Sequence, residues 1–251
     1  MKFTVLGAGQ WFTTPGDVSL YNSAGHLLQD GNTNILLDFG RGCLRALTQQ
    51  GFSVYDIDAV LITHTHLDHV TDVIPLIYAY SIGVNRGETA KPLTIIGPIG
   101  IQDWFTQITA LMHEPVPPQI TVIEQPSDFK IGNCTITTAE MQHVIPDIAY
   151  RVTNGSKVLV YSGDTGKNES LVQLAHQADL LVLECANDPE QTTPNHLNPY
   201  ECADIAEAAQ AKQLFITHYG KRERQVHIRM ATVGRFDGIV TLGEELENIT
   251  L

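Results

Sequence analysis

The chain has no apolar stretch long enough to span a membrane. Runs such as Ile35-Leu36-Leu37 and Leu180-Leu181-Val182-Leu183 stop far short of the ~20 residues a spanning helix needs. It is also poor in positive charge, with 15 Lys and Arg against 28 Asp and Glu and a formal net charge of −13. Broad, non-specific nucleic-acid binding is thereby disfavoured, because it depends on clustered cations meeting phosphates. A phosphate substrate is not, since bound divalent metals supply local positive charge that residue counting omits. Cysteine is scarce: Cys43, Cys134, Cys185 and Cys202 lie far apart with no C-x-x-C pair, and reduced thiols are the simplest reading. No signal-peptide pattern precedes the opening strand Met1-Lys2-Phe3-Thr4-Val5, so the expected location is cytoplasmic. The segment Gly7-Ala8-Gly9 lacks the third glycine and the helix of a dinucleotide-binding loop. Repeats, low-complexity tracts and charge blocks are absent, and the Pro115, Pro117, Pro118 loop is too short to be a linker. One domain over residues 1–251 is the expectation.

What is present is an alternation of short β-branched or leucine-rich runs with longer helical patterns, the signature of an α/β protein. Strands are predicted at 2–6, 34–38, 59–63, 93–96, 120–124, 134–139, 148–153, 157–161, 180–184, 213–217 and 238–242. Helices are predicted at 43–50, 70–80, 99–112, 168–177, 199–210 and 222–231. Asn168 and Asn198-Pro199 read as helix starts, and Asn154-Gly155 as a hairpin turn. The strand-rich halves on either side of about residue 130 could form two packed sheets.

The chemistry concentrates after the buried-strand pattern Ala59-Val60-Leu61-Ile62-Thr63, in His64-Thr65-His66-Leu67-Asp68-His69. Three imidazoles and a carboxylate in six residues are rarely needed for packing, and both groups are good ligands for Zn²⁺ and related ions. Alternation at a strand end points His64 and His66 the same way. Asp68 and His69 lie past the turn, where they can face a second metal position. Further candidate ligands follow other apolar strands: His143 after Thr135–Ala139, Asp164 in Ser162-Gly163-Asp164-Thr165, and His218 after Leu214–Thr217. Strand C-terminal ends are where α/β folds place their sites. His26, His113, His176 and His227 have no such partner pattern and are read as structural or solvated.

The order HxHxDH, then His, then Asp, then His resembles the metallo-β-lactamase fold superfamily, and within it the tRNA 3′-endonuclease (tRNase Z) and related small phosphodiesterases. The resemblance runs from Phe3-Thr4-Val5-Leu6-Gly7 through Asn34–Gly40 to Asp237-Gly238-Ile239-Val240. It implies a four-layer αβ/βα sandwich of two mixed β-sheets flanked by helices, with the metals at one edge between the sheets. It assigns His64, His66 and His143 to one metal, Asp68, His69 and His218 to the other, and Asp164 to both. It also implies a homodimer. Glu184-Cys185-Ala186 and Asn195-His196-Leu197-Asn198 resemble the branch's strand-end Glu and its pre-helix His, although Leu197-Asn198 replace the usual Ser-Thr.

The tRNA-processing relatives carry a long arm that grips tRNA, in many of them inserted shortly after the strand that follows the third ligand histidine. Here Tyr150-Arg151-Val152-Thr153 passes through Asn154-Gly155-Ser156 straight into the next strand. The missing arm and the net charge point to a smaller substrate. The expected activity is a phosphodiesterase acting on a cyclic nucleotide or other small phosphodiester. Two divalent ions, zinc first with Mn²⁺ or Fe²⁺ as alternatives, would activate water. Asp68 would hold that water and take its proton. His196 would be the general acid or orient the phosphate, and Glu184 could orient His196 or a ligand histidine. The alternatives are a tRNA 3′-processing endoribonuclease, a carboxylic or sulfuric ester or lactone hydrolase, and a non-catalytic metal-binding protein. Lys221, Arg222 and Arg224 form the one compact basic cluster, suited to substrate phosphates or to a solvated helix surface.

Overall fold

A computed structural model describes residues 1–10, 22–220 and 224–251. The first half of the chain contributes β1 (Lys2–Gly7), β2 (Gly25–Asp30), β3 (Thr33–Phe39), α1 (Cys43–Gln49) and β4 (Ala59–Leu61). It continues with α2 (Leu67–Val70), α3 (Val73–Asn85), β5 (Leu93–Gly97), α4 (Ile101–Met112) and β6 (Ile120–Glu124). The second half supplies β7 (Asp128–Ile131), β8 (Cys134–Glu140), β9 (Ile148–Thr153), β10 (Val158–Tyr161), α5 (Glu169–Leu174) and β11 (Leu180–Glu184). It ends with α6 (Pro199–Ala208), β12 (Gln213–Thr217), α7 (Arg224–Thr232), β13 (Ile239–Leu242) and β14 (Asn248–Thr250).

Two seven-stranded sheets result, in the orders β14-β1-β2-β3-β4-β5-β6 and β13-β12-β11-β10-β9-β8-β7. Each sheet is antiparallel in one half and parallel in the other. Parallel neighbours need crossovers, and helices provide them. Side-chain alternation sorts the first sheet's faces. Phe3, Val5, Leu28, Ile35, Leu37 and Leu61 enter a core shared with Ile136, Tyr150, Val152, Leu159 and Leu181 of the second sheet. Leu6, Leu27, Leu36, Val60 and Ile62 face the other way, against α1, α3 and α4. The helices α5 and α6 cover the second sheet. The architecture is therefore the four-layer αβ/βα sandwich.

The division near residue 130 matches the boundary between the sheets, except that β14 returns to pair antiparallel with β1. Three strands go beyond the sequence pattern: β2, β7 and β14. The predicted helix over 70–80 is two helices, because Asp72 hydrogen-bonds outside the helical ladder. Its amide donates to Phe39 O (3.0 Å) and its carboxylate accepts from Leu44 N (2.9 Å). Pro75 then sits in the first turn of α3, where its missing N–H costs nothing. Both predicted asparagine caps form: Asn168 accepts from Leu171 N, and Asn198 makes a reciprocal capping box with Glu201. β9 and β10 join through Asn154–Lys157, with Asn154 Oδ1 accepting from the amides of Ser156 and Lys157, so no arm interrupts the hairpin.

Candidate metal centre

Strand β4 delivers the HxHxDH segment to the edge between the sheets. Beyond Leu61 the chain is held by Asp38 at the end of β3, which accepts from Thr63 N and Thr63 Oγ1, both at 2.8 Å. His66 is the extended residue before α2, and Asp68 stands in that helix's first turn. From the second sheet, Gly163 brings Asp164 in behind Thr63. Its φ is +61°, and a Cβ there would come within 2.5 Å of the Thr63 side chain, so only glycine fits. His218 follows β12 with φ +52°, a left-handed conformation uncommon for histidine, which marks a residue held in place by its surroundings.

All seven sequence-predicted ligands meet here, in two sets. His64, His66, His143 and Asp164 converge in one; Asp68, His69 and His218 converge in the other. His66 Nδ1 lies 2.9 Å from His64 Nε2 and 3.2 Å from His143 Nε2. In the second set His218 Nε2 is 3.3 Å from His69 Nε2 and 3.2 Å from Asp68 Oδ2. Asp164 stands between them, with Oδ2 3.9 Å from His64 Nε2 and Oδ1 3.4 Å from His69 Nε2.

These donors fit divalent ions. Four ligands about 2.0–2.1 Å from a tetrahedral zinc are spaced by about 3.3–3.4 Å, close to the nitrogen–nitrogen distances observed. Neutral imidazoles converging on one point without a cation would set lone pair against lone pair. Burial, and then the charge of His69, holds the His64 ring well below the usual imidazole range; burial also lowers His66 and His143. The three rings of the first set therefore favour the neutral form that ligates. In the second set burial works against charge, but Asp164 outweighs it and raises both His69 and His218. Burial opposes ionisation of Asp68 too, yet the His218 hydrogen bond and the His69 charge leave its carboxyl below the usual range. Asp164 is likewise held low, by His218 and His69 against the effect of burial. This set draws protons for the same reason it would draw a metal.

Carboxylates and carbonyls hold the far edges of the rings. His69 Nδ1 is 2.7 Å from Asp38 Oδ2, and Tyr161 of the second sheet donates to that oxygen at 2.7 Å. His143 Nδ1 meets Asn195 O at 3.1 Å, and His64 Nδ1 lies 2.9 Å from Asp147 Oδ2. Such contacts fix the tautomer and orientation of a ligating ring. Asp38, Asp147 and Tyr161 are additions to the residues singled out from sequence. The one signal for Asp38 was a charged residue inside an otherwise apolar strand.

His196 sits beside both sets, its ring 5.2 Å from that of His143 and stacked at 6.2 Å on that of His218. Glu184 Oε1 takes its Nδ1 at 2.9 Å and also accepts from Thr165 N and Leu197 N, while Oε2 accepts from Ala186 N. The strand-end glutamate thus orients His196 and ties the β10–α5 connection to the β11–α6 connection. Burial raises the Glu184 carboxyl; for His196 burial is opposed and outweighed by Glu184, and the ring is raised. A cavity of about 530 Å³ opens over these groups, with Gln10, Leu67, Ala186 and Asn187 completing its wall.

The remaining candidates take no part. His26 is buried among Phe3, Tyr161 and Phe215, and burial pulls its pKa down to about 3. His113, His176 and His227 are exposed. Gly7-Ala8-Gly9 lies behind His218, with Tyr219 N donating to Ala8 O; the Gly9 amide donates to Asn22 O and is not free for a phosphate. Lys221 and Arg222 lie outside the described residues.

The β-lactamase superfamily domain matches residues 33–219, most of the chain. The chain belongs to that superfamily, and its fold and donor groups are those of a metallo-hydrolase of this kind. The probable metallo-hydrolase YhfI of Bacillus subtilis is 29% identical over 248 residues, covering 97% of both chains. The YhfI crystal structure covers 99% of this chain and 98% of its own, with a TM-score of 0.84 at 26% identity. Ribonuclease Z of Mycobacterium bovis is 27% identical over 281 aligned positions, covering 99% of this chain and 98% of the relative. Human tRNase Z, short form, shares the fold with a TM-score of 0.78 at 23% identity, covering 100% and 99% of the two chains. Among the described residues no helix is long and apolar enough to cross a membrane.

Proposed function

We propose that the chain is a phosphodiesterase that hydrolyses a cyclic nucleotide or another small phosphodiester at a centre of two divalent ions, zinc in the first instance. His64, His66 and His143 would hold one ion, Asp68, His69 and His218 the other, and Asp164 both. The observation that carries this reading is Asp164, whose two oxygens face different histidine sets at 3.9 and 3.4 Å. When bound, two such ions lower the pKa of a shared water and neutralise charge on a phosphoryl oxygen.

The chain's own groups divide the remaining work. Asp68, whose Oδ2 lies 3.2 Å from His218 Nε2, would hold the attacking water and receive its proton. His196 has its Nδ1 on Glu184, which leaves Nε2 to protonate a leaving oxygen, and the raised pKa favours the protonated ring that this step needs. The cavity of about 530 Å³ lies within the range of small-molecule sites.

A small substrate is favoured over tRNA by two features. The tight β9–β10 turn leaves no room for an arm, and the net charge of −13 offers little to a polyanion. The alignment with the mycobacterial ribonuclease Z extends over 281 positions for a chain of 251 residues, so the relative carries segments that this chain lacks. A panel of bis-p-nitrophenyl phosphate, cyclic nucleotides, precursor tRNA and a lactone tests the reading. Small diesters are the expected substrates. Turnover of the lactone without the diesters, or of precursor tRNA in preference to them, overturns it.

A further inference from the structure

We propose that Asp147 is a positioning residue for the first metal set: its carboxylate backs the Nδ1 edge of His64 and so directs Nε2 at the ion. The inference rests on the metal-centre reading above and concerns a residue outside the seven ligands.

Asp147 lies immediately before β9 and is 3% exposed, while His64 is fully buried. Its main chain is fixed at the junction of the two sheets. Asp147 O accepts from Met141 N at 2.9 Å, and the next amide, Ile148 N, donates to Thr63 O at 3.0 Å. Asp147 Oδ2 then stands 2.9 Å from His64 Nδ1. That contact lies off hydrogen-bond alignment and is chiefly electrostatic. A buried carboxylate so poorly satisfied is destabilising unless a positive charge answers it. On the far side of His64, Nε2 points to where the first ion would lie, and that ion is such a charge.

The surroundings also settle which nitrogen of His64 carries the proton. Nδ1 has a second oxygen beside it, Thr63 Oγ1 at 3.1 Å. That hydroxyl spends its own proton on Asp38 Oδ2 at 2.8 Å and can only accept from the ring. The Thr63 hydroxyl as acceptor and the Asp147 charge beside it hold the proton at Nδ1 and leave the lone pair on Nε2. Asp147 also evens out the charges. The second set has Asp68 as a ligand and Asp38 behind His69. The first set has three neutral rings and a share of Asp164, and Asp147 alone supplies it with a carboxylate behind a ring.

The test compares wild type, Asp147→Asn and Asp147→Ala, each stripped of metal and then titrated with zinc against a chelator of known affinity, with thermal melts of both forms. The expected result is a ten- to hundred-fold weaker affinity for one of the two ions, larger for Ala than for Asn. The other ion should keep its affinity, and the metal-free variants should melt at or above wild type. The rise in melting temperature on adding zinc should shrink. Wild-type affinity for both ions in both variants overturns the proposal. So does a lower metal-free melting temperature with an unchanged zinc-induced rise, the signature of a purely structural residue. Failure of the wild-type chain to bind two ions would instead overturn the metal-centre reading beneath it.

Discussion

At the scale of single residues, the proposed function assigns some groups to metal and others to proton transfer. His196 is tied to Glu184 and is 3.9 Å from Asp164, a group of donors that could itself hold an ion; under the proposed function His196 carries a proton instead. Replacing it with Ala should lower kcat by about 10²–10⁴-fold with metal content unchanged, read by turnover and elemental analysis on the same sample. Loss of metal in that variant would make His196 a ligand instead. Asp68 stands on both sides of the division, and Asp68→Ala should abolish turnover and weaken the ion held with His69 and His218. A variant with full metal and measurable turnover would contradict its dual role. The HxHxDH segment was readable because its residues adjoin in sequence. Asp38 and Asp147 were not, since each is a lone carboxylate whose meaning depends on a histidine from another part of the chain.

At the scale of elements, the site is built where strands stop and the connections between them are pinned. Asn198 caps α6 and fixes the end of the loop that carries His196. Its replacement by Ala should cost about 1 kcal/mol of stability, visible as a lower denaturation midpoint, and should also reduce kcat by loosening His196. Unchanged stability would show that the cap is not supporting the loop. Asp179 pins the second sheet, accepting from Val158 N and from Lys212 Nζ, both at 2.8 Å. Burial opposes its ionisation, but the Lys212 and Val158 hydrogen bonds outweigh it and lower the carboxyl's pKa. A depressed folded pKa stabilises the fold above the ordinary aspartate value of about 3.9, and that contribution is lost as the pH falls through the folded value. The melting-temperature gap between wild type and Asp179→Asn should therefore hold from neutral pH to about 5 and close below about 4. A gap independent of pH would contradict the assignment. Elements with strong patterns, such as β11 and β12, were legible because burial makes them continuously apolar. β14 was not: three residues, Asn248-Ile249-Thr250, become a strand through pairing with β1. β2 and β7 mix polar and apolar residues at similar frequency, so neighbouring strands determine them more than composition does.

At the scale of the whole molecule, two sheets contribute different donors to one centre. The first brings HxHxDH and Asp38; the second brings His143, Asp147, Asp164, Glu184 and His218. Tyr161 on Asp38 and Ile148 N on Thr63 O join the sheets at that edge, so folding and assembly of the centre are one event. Zinc should accordingly stabilise the entire fold, since an ion that binds only the native state shifts unfolding by mass action. On the proposed reading, the net charge of −13 would disfavour a polyanionic substrate and leave the ions as the main attraction for a single phosphodiester. The most direct measurement of the central claim is the number of zinc ions retained per chain after reconstitution, counted by native mass spectrometry. Two are expected, falling when Asp164 is replaced by Ala because that carboxylate would serve both. One ion or none in the wild-type chain, or two ions undisturbed by loss of Asp164, would contradict it.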